Sequence, residues 1–200
     1  MSAKSVLAAA GLLTAAALLA GCKLTRWGYE SPVHEVVHRE GTFEIRVYPS
    51  IELASTPLDG ESPQEGGTFM RLFRYISGAN DTGQKIAMTV PVFSTLDEGE
   101  GRMSFVVPKD VSKNGAPPAS DSSVSLETMP GGRFAVIRYS GSWSPERNAA
   151  ARQNLVHWLA ELSIASTGEA LIANYDPPFT PPFLRRNEVF IRLPTDATAD

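Results

Sequence analysis

The sequence predicts an α+β fold of eight mostly antiparallel strands and two helices, arranged as two copies of a ββαββ unit. The first observation behind this is an internal match: Phe69 to Pro108 can be laid without a gap on Leu155 to Pro194, at a constant offset of 86. Phe69, Leu72, Phe73 and Ile76 then fall on Leu155, Trp158, Leu159 and Leu162, while Ala87, Pro91, Phe93 and Pro108 fall on Ala173, Pro177, Phe179 and Pro194. The second is its upstream extension at an offset of 81, which brings Phe43, Ile45 and Val47 onto Val124, Leu126 and Thr128, with Pro49 on Pro130 and Ala54 on Ala135. Each such copy is a supersecondary unit that needs its neighbour to bury its apolar face. The third is size: 200 residues with 42% apolar content suit one ordinary core and not two.

The elements follow in order. Residues 1–21 read as a secretory signal, with Lys4 before an apolar run from Val6 to Ala20 that is short for a membrane span of about 20 residues. The run ends in Leu19-Ala20-Gly21-Cys22, which resembles the bacterial lipoprotein signal and implies lipidation of Cys22, the one cysteine in the chain. Lys23, where an aspartate would signal inner-membrane retention, points to an outer-membrane anchor facing the periplasm. Residues 22–39 are expected to be the lipidated cysteine and a tether, residues 40–194 a single domain with half-repeats at about 43–108 and 124–194, and residues 195–200 a tail.

Within the domain, Phe43, Ile45 and Val47 alternate with Glu44, Arg46 and Tyr48, the period of a half-buried strand. Pro49-Ser50 makes a turn, and a second strand spans about Ile51 to Pro57. Ser62-Pro63-Gln64-Glu65 combines a capping serine, proline at the first helical position and a glutamate able to bond back, so helix one is expected from about Pro63 to Ser77, with Gly78 as its stop. Ser144-Pro145-Glu146 starts helix two, expected from about Pro145 to Ser163. Both carry apolar residues at i, i+3, i+4 and i+7, the stripe of a helix lying on a sheet. Extended segments are expected at Lys85 to Ser94 and Arg102 to Val107 in copy one, and at Ala170 to Tyr175 and Glu188 to Leu193 in copy two. Asp110 to Ser123, rich in Ser, Pro, Ala and Gly, is expected to be an exposed linker.

The run from Phe69 to Asn80, Phe-Met-Arg-Leu-Phe-Arg-Tyr-Ile-Ser-Gly-Ala-Asn, followed by Lys-Ile-Ala-Met-Thr-Val-Pro-Val from Lys85 to Val92, resembles the SOUL heme-binding protein family. Glu44 to Pro49, Phe134 to Gly141, Tyr175 to Phe179 and Arg185 to Glu188 resemble it as well, so the likeness covers roughly residues 30 to 194. It implies a distorted eight-stranded antiparallel β-barrel with two helices, similar to the effector-binding domains of some bacterial regulators and gyrase-inhibitor proteins. It also implies heme, bound non-covalently, as the cofactor.

A heme needs an apolar surface for its ring, cations for its propionates and, optionally, an axial ligand. The face of helix one opposite its expected core stripe carries Met70, Arg71, Arg74 and Tyr75, where copy two has Val156, His157, Ala160 and Glu161. In some family members the groove lies between this helix and the loop joining the last two strands, which implies Tyr175, Pro178, Phe179, Phe183 and Arg185 as its other wall. The same arginines equally suit a solvated helix face, and the same loop a cover for the barrel's end. His157 is expected to be exposed, His34 and His38 to belong to the tether, and Met88 and Met103 to the core. No metal site is expected.

Other functions find less support. A net charge of -4 argues against a nucleic-acid partner. Gly141-Ser142-Trp143-Ser144 lacks a nucleophile elbow, and Asp97-Glu98-Gly99-Glu100 reads as turn chemistry, so no enzymatic activity is expected. The expected role is a lipid-anchored envelope protein that binds heme or another tetrapyrrole in a surface groove; the alternative is a non-catalytic envelope module for a different small ligand or a protein partner.

Overall fold

The computed structural model describes residues 28–58, 67–95, 101–166 and 170–194. The signal segment, Cys22, the Ser62-Pro63 helix start, the Asp97 to Glu100 carboxylates and the 195–200 tail lie outside these ranges. The described chain forms β1 (Glu35–Glu40), β2 (Phe43–Tyr48), β3 (Ile51–Pro57), α1 (Thr68–Ile76), β4 (Val92–Thr95), β5 (Arg102–Val106), α2 (Lys109–Asn114), β6 (Ser125–Met129), β7 (Gly132–Tyr139), α3 (Pro145–Glu161), β8 (Ala170–Asn174), a 3-10 turn (Pro182–Leu184) and β9 (Asn187–Arg192).

The strands make one antiparallel sheet in the order β1-β2-β7-β9-β8-β4-β5-β3-β6, curled into a half-barrel. This corrects the expectation of an eight-stranded barrel and two helices: the described residues hold nine strands and three helices, and the sheet stays open, with β1 and β6 at its edges. The ninth strand is β1, drawn from the segment expected to be tether. All six of its residues are exposed and its register slips between Val36 and His38, so it has no apolar alternation to betray it; backbone pairing to β2 holds it in place. From β2 to β9 the order is unchanged when read from the other end with β2 to β5 exchanged for β6 to β9.

The gap-free comparison of the copies fails through one element. Of Lys85 to Ser94, only the last residues are strand, and β4 pairs with β8 through Phe93 and Ala173. Copy one has its long connection before β4, and copy two has its own after β8. Pro91 lacks an N–H for the ladder, and the residues before it are tied elsewhere. Ile86 N donates to Ile76 O, Val90 N to Glu30 O at 2.9 Å, and the Thr89 hydroxyl to Val106 O at 2.6 Å. The expected linker is also structured. Its α2 buries Val111, and Ala119 bridges Asn80, so it packs over α1 instead of projecting into water.

Alternation along the strands sorts the core. Ala54, Met103 and Phe105 face α1, while Ala135, Ile137, Ile172 and Ile191 face Leu155, Trp158 and Leu159 of α3. Leu53, Phe93, Val106, Phe134 and Phe190 form a third cluster with Tyr48 and Tyr175. Helix α3 starts where the sequence indicates: the Ser144 hydroxyl accepts from Arg147 N, and Pro145 follows at the first position. Ser144→Ala should lower stability by about 1 kcal/mol, read as a shift in the urea midpoint at unchanged slope. Helix α1 ends before Gly78, whose φ of 113° suits the residue that leaves a helix. Asn80 closes that end, donating to Tyr75 O at 3.1 Å and Gln84 O at 2.8 Å.

Candidate functional site

Helix α1 is turned relative to its expected orientation. Its buried residues are Thr68, Leu72, Tyr75 and Ile76, whereas Phe69, Met70 and Phe73 are 39%, 45% and 42% exposed. Two apolar stripes of the same period run along this helix, and periodicity alone does not choose between them. The choice is made by Tyr75, whose ring is buried and whose hydroxyl donates to Pro117 O at 2.9 Å in the segment after α2. Burial raises the pKa of that phenol, with the charge of Glu52 adding to the effect. Tyr75 is therefore a core residue and not part of the outer face, and Phe69 and Phe73 take its place there.

The outer face that results is a short apolar platform with cations beside it. The rings of Phe69 and Phe73 stack at 6.2 Å between centroids, and Phe69 meets Phe105 edge-on at 5.2 Å. Met70 lies next to them in sequence, and Arg74 is exposed one position beyond Phe73. Arg71 is half-buried, with Nε donating to Thr56 Oγ1 at 3.0 Å and Nη2 to Pro57 O at 2.6 Å, which fixes the helix against the end of β3. Chemically, the platform offers two aromatic rings, a thioether able to ligate iron, and the Arg74 guanidinium for a carboxylate.

The Tyr175 to Arg186 loop divides its expected residues between interior and surface. Tyr175 is buried, and Arg185 is spent on the loop itself: its guanidinium donates to Thr180 O at 2.7 Å and to Pro178 O. Asp176 accepts from Arg186 N at 2.7 Å, and Gly141 N donates to Pro182 O at 3.0 Å. Pro178 is exposed, and Phe179 and Phe183 are 80% and 73% exposed. The loop is thus a fixed structure that holds two phenyl rings out in water. It is anchored to the β7–α3 connection, whereas α1 packs on β3 and β5.

A buried ionic cluster lies beneath the loop, and sequence reasoning missed it. Arg46, expected on the polar face of β2, is 3% exposed, and its guanidinium grips Glu188 through two bonds of 2.8 and 3.0 Å. Tyr175 OH donates to Glu188 Oε2 at 2.9 Å, Arg186 Nε donates to Oε1 at 2.9 Å, and the Arg186 guanidinium stacks 4.0 Å over the Tyr175 ring. Burial would raise the pKa of Glu188, yet the hydrogen bonds and charge of Arg46 and the charge of Arg186 outweigh it and hold it below the usual range. Tyr175 is pushed well up by burial and by the charge of Glu188. The partners are 142 positions apart, so no local signal announces them.

The remaining candidates lie elsewhere in the fold. His157 is exposed beside Glu161, His38 lies over Trp158, and the His34 ring packs 4.8 Å from Tyr48, where burial lowers its pKa. Met103 is buried and Met88 half-buried. Among the described residues no group of three His, Cys, Asp or Glu side chains is placed to hold a metal. A cleft of about 200 Å³ lies under α3, lined by Asn148, Arg152, Gln153 and Ile172 among others, and takes in none of the expected site residues.

The profile of a family described as SOUL heme-binding protein matches residues 29–192. Heme-binding protein 1 of Mus musculus is 29% identical over 167 residues, covering 78% of this chain and 84% of that protein; its Sus scrofa counterpart is 26% identical over 168 residues with the same coverage. Among solved structures, the EcmrR C-terminal domain superposes with a TM-score of 0.56 at 12% identity, covering 82% of this chain and 99% of that one. A hydrolase from Listeria innocua gives a TM-score of 0.53 at 12% identity, covering 79% and 94%. At such identities the likeness shows the fold alone.

Proposed function

The chain belongs to the SOUL heme-binding protein family, and on that premise we propose that it is a lipid-anchored envelope protein that binds heme or another tetrapyrrole on the outer face of α1. The observation that carries this reading is the platform of Phe69, Met70 and Phe73 beside Arg74. Three sizeable apolar side chains exposed together on nine residues of helix ask for a partner, and a flat macrocycle with acidic edges matches their chemistry. The stacked rings would support the macrocycle, Arg74 would pair with a propionate, and Met70 would supply a thioether on the iron side. Bound heme would supply the iron centre. The residues of the chain position it and shield it from water.

The envelope address is supported by Leu19-Ala20-Gly21-Cys22. The scaffold is proposed to descend from a duplicated ββαββ unit, supported by the offset matches and by the strand order that reads alike from either end.

Hemin titration of the purified chain, followed in the Soret band, tests the binding site. Arg74→Ala and Met70→Ala should each weaken hemin by about tenfold, the usual size of one lost charge-assisted or ligating contact, while Val156→Ala on the corresponding face of α3 should change nothing. Equal affinity in all four proteins would move the site away from α1. A crosslinked protein partner that hemin does not displace would favour the module reading instead.

A further inference from the structure

We propose that the Tyr175 to Arg186 loop is a second membrane contact, whose Phe179 and Phe183 side chains enter the interface of the bilayer to which Cys22 tethers the chain. This rests on the lipid-anchor reading above. Three observations on different parts of the molecule lead to it.

The first is the loop itself. Phe179 and Phe183 are the two most exposed phenylalanines of the described chain, at 80% and 73%, against 42% for the next. They do not reach this state through looseness. Four prolines, the Arg185 guanidinium on two loop carbonyls, Thr180 N on Pro177 O and Gly141 N on Pro182 O fix the loop that presents them. A rigid support for unshielded aromatic rings suits insertion into an interface, because the ordering entropy is already spent before contact.

The second is a cation beside the loop's anchor. The exposed Arg147 has its guanidinium against Gly141, the residue whose N–H holds Pro182. Aromatic rings with a cation behind them are the pattern of a segment that sits among lipid headgroups.

The third is where the chain enters the domain. Val90 N donates to Glu30 O, and Val92, two residues on, pairs with Asn174, the residue before the loop begins. The N-terminal segment therefore meets the sheet at the strand ends from which the loop springs. Five residues lie between Cys22 and Gly28, and the six steps between them limit the reach to about 20 Å at ~3.3 Å per residue. An acyl anchor on Cys22 would hold this end of the sheet at the bilayer surface, within reach of the loop.

The test uses the full chain, lipidated and reconstituted into vesicles of phosphatidylethanolamine and phosphatidylglycerol, with Phe183→Trp as probe against the wild-type tryptophan background. Emission gained at position 183 should be quenched by acyl-brominated lipid and shielded from aqueous iodide. In the unlipidated Cys22→Ser chain, residual vesicle binding should fall at least tenfold with Phe179→Ser/Phe183→Ser, with the fold unchanged by circular dichroism. Iodide quenching without lipid quenching in the lipidated chain would overturn the proposal, and so would shielding from both quenchers, which would mean burial against a second copy of the chain. If the intact mass shows no acyl group on Cys22, the anchor reading fails alone, and the bromolipid measurement on the unlipidated chain still decides the loop.

Discussion

Replacing Glu188 with glutamine should cost about 3–5 kcal/mol, the usual penalty for removing one partner of a buried ion pair. The carboxylate is inaccessible to solvent and receives bonds from Arg46, Arg186 and Tyr175. Without its charge, the buried Arg46 guanidinium keeps only Glu44, at 2.5 Å, as an anionic partner. Urea unfolding at neutral pH measures the loss. The pH dependence provides a second signature. Because the folded pKa of Glu188 is depressed below the ordinary 4.5 of a glutamate, its contribution is present in full above that value and is lost as pH falls through the folded one. The wild type should therefore lose stability over this acid window, and Glu188→Gln should lose less. His34 acts at higher pH. Its folded pKa lies below 6.5, so the unfolded chain takes up the proton first, and stability declines as pH falls from about 6.5. An equal acid slope in wild type and Glu188→Gln would show that the carboxylate is not held charged by Arg46.

Trp158→Ala should cost about 3–5 kcal/mol, the range for deleting a large core aromatic. Trp158 of α3 is 3% exposed and stacks on Phe43 at 5.0 Å, and its indole N–H donates to Glu40 Oε2 at 2.8 Å. One side chain thus fastens α3 both to the core and to the β1–β2 hairpin. Trp158→Phe keeps the packing and loses the hydrogen bond, so it should cost only about 1 kcal/mol. Thermal unfolding followed by circular dichroism separates the two; equal losses would mean that the bond to Glu40 dominates the packing.

Much of the scaffold could be read from local pattern. Period-two alternation located β2, the extended segments expected at Ile51 to Pro57 and Arg102 to Val107 match β3 and β5, Ser144-Pro145 located the start of α3, and Gly78 located the end of α1. What escaped depends on contacts between distant residues. Strand β1 is held by backbone pairing with no buried side chain, so it carries no periodic signal. The rotation of α1 is set by Pro117, which receives the Tyr75 hydroxyl from 42 positions away. Arg46 looked like a surface residue because its partner comes from the last strand. At the candidate site, Met70 and Arg74 were legible as outward-facing, and so was the apolar character of Phe179 and Phe183. Phe69 and Phe73 were assigned to the core because an aromatic pair at i and i+4 reads the same on either side of a helix. The structure separates the two faces, and the outward one gives the platform its aromatic floor.

The most direct measurement of the central claim is the Soret titration of the full chain with hemin, paired with the Phe69→Ala/Phe73→Ala variant. Both side chains are about two-fifths exposed, so their removal should leave the fold intact by circular dichroism. The account predicts saturable binding by the wild type and at least tenfold weaker binding by the folded variant. No saturable Soret change in the wild type, or one that survives unchanged in the variant, would contradict it.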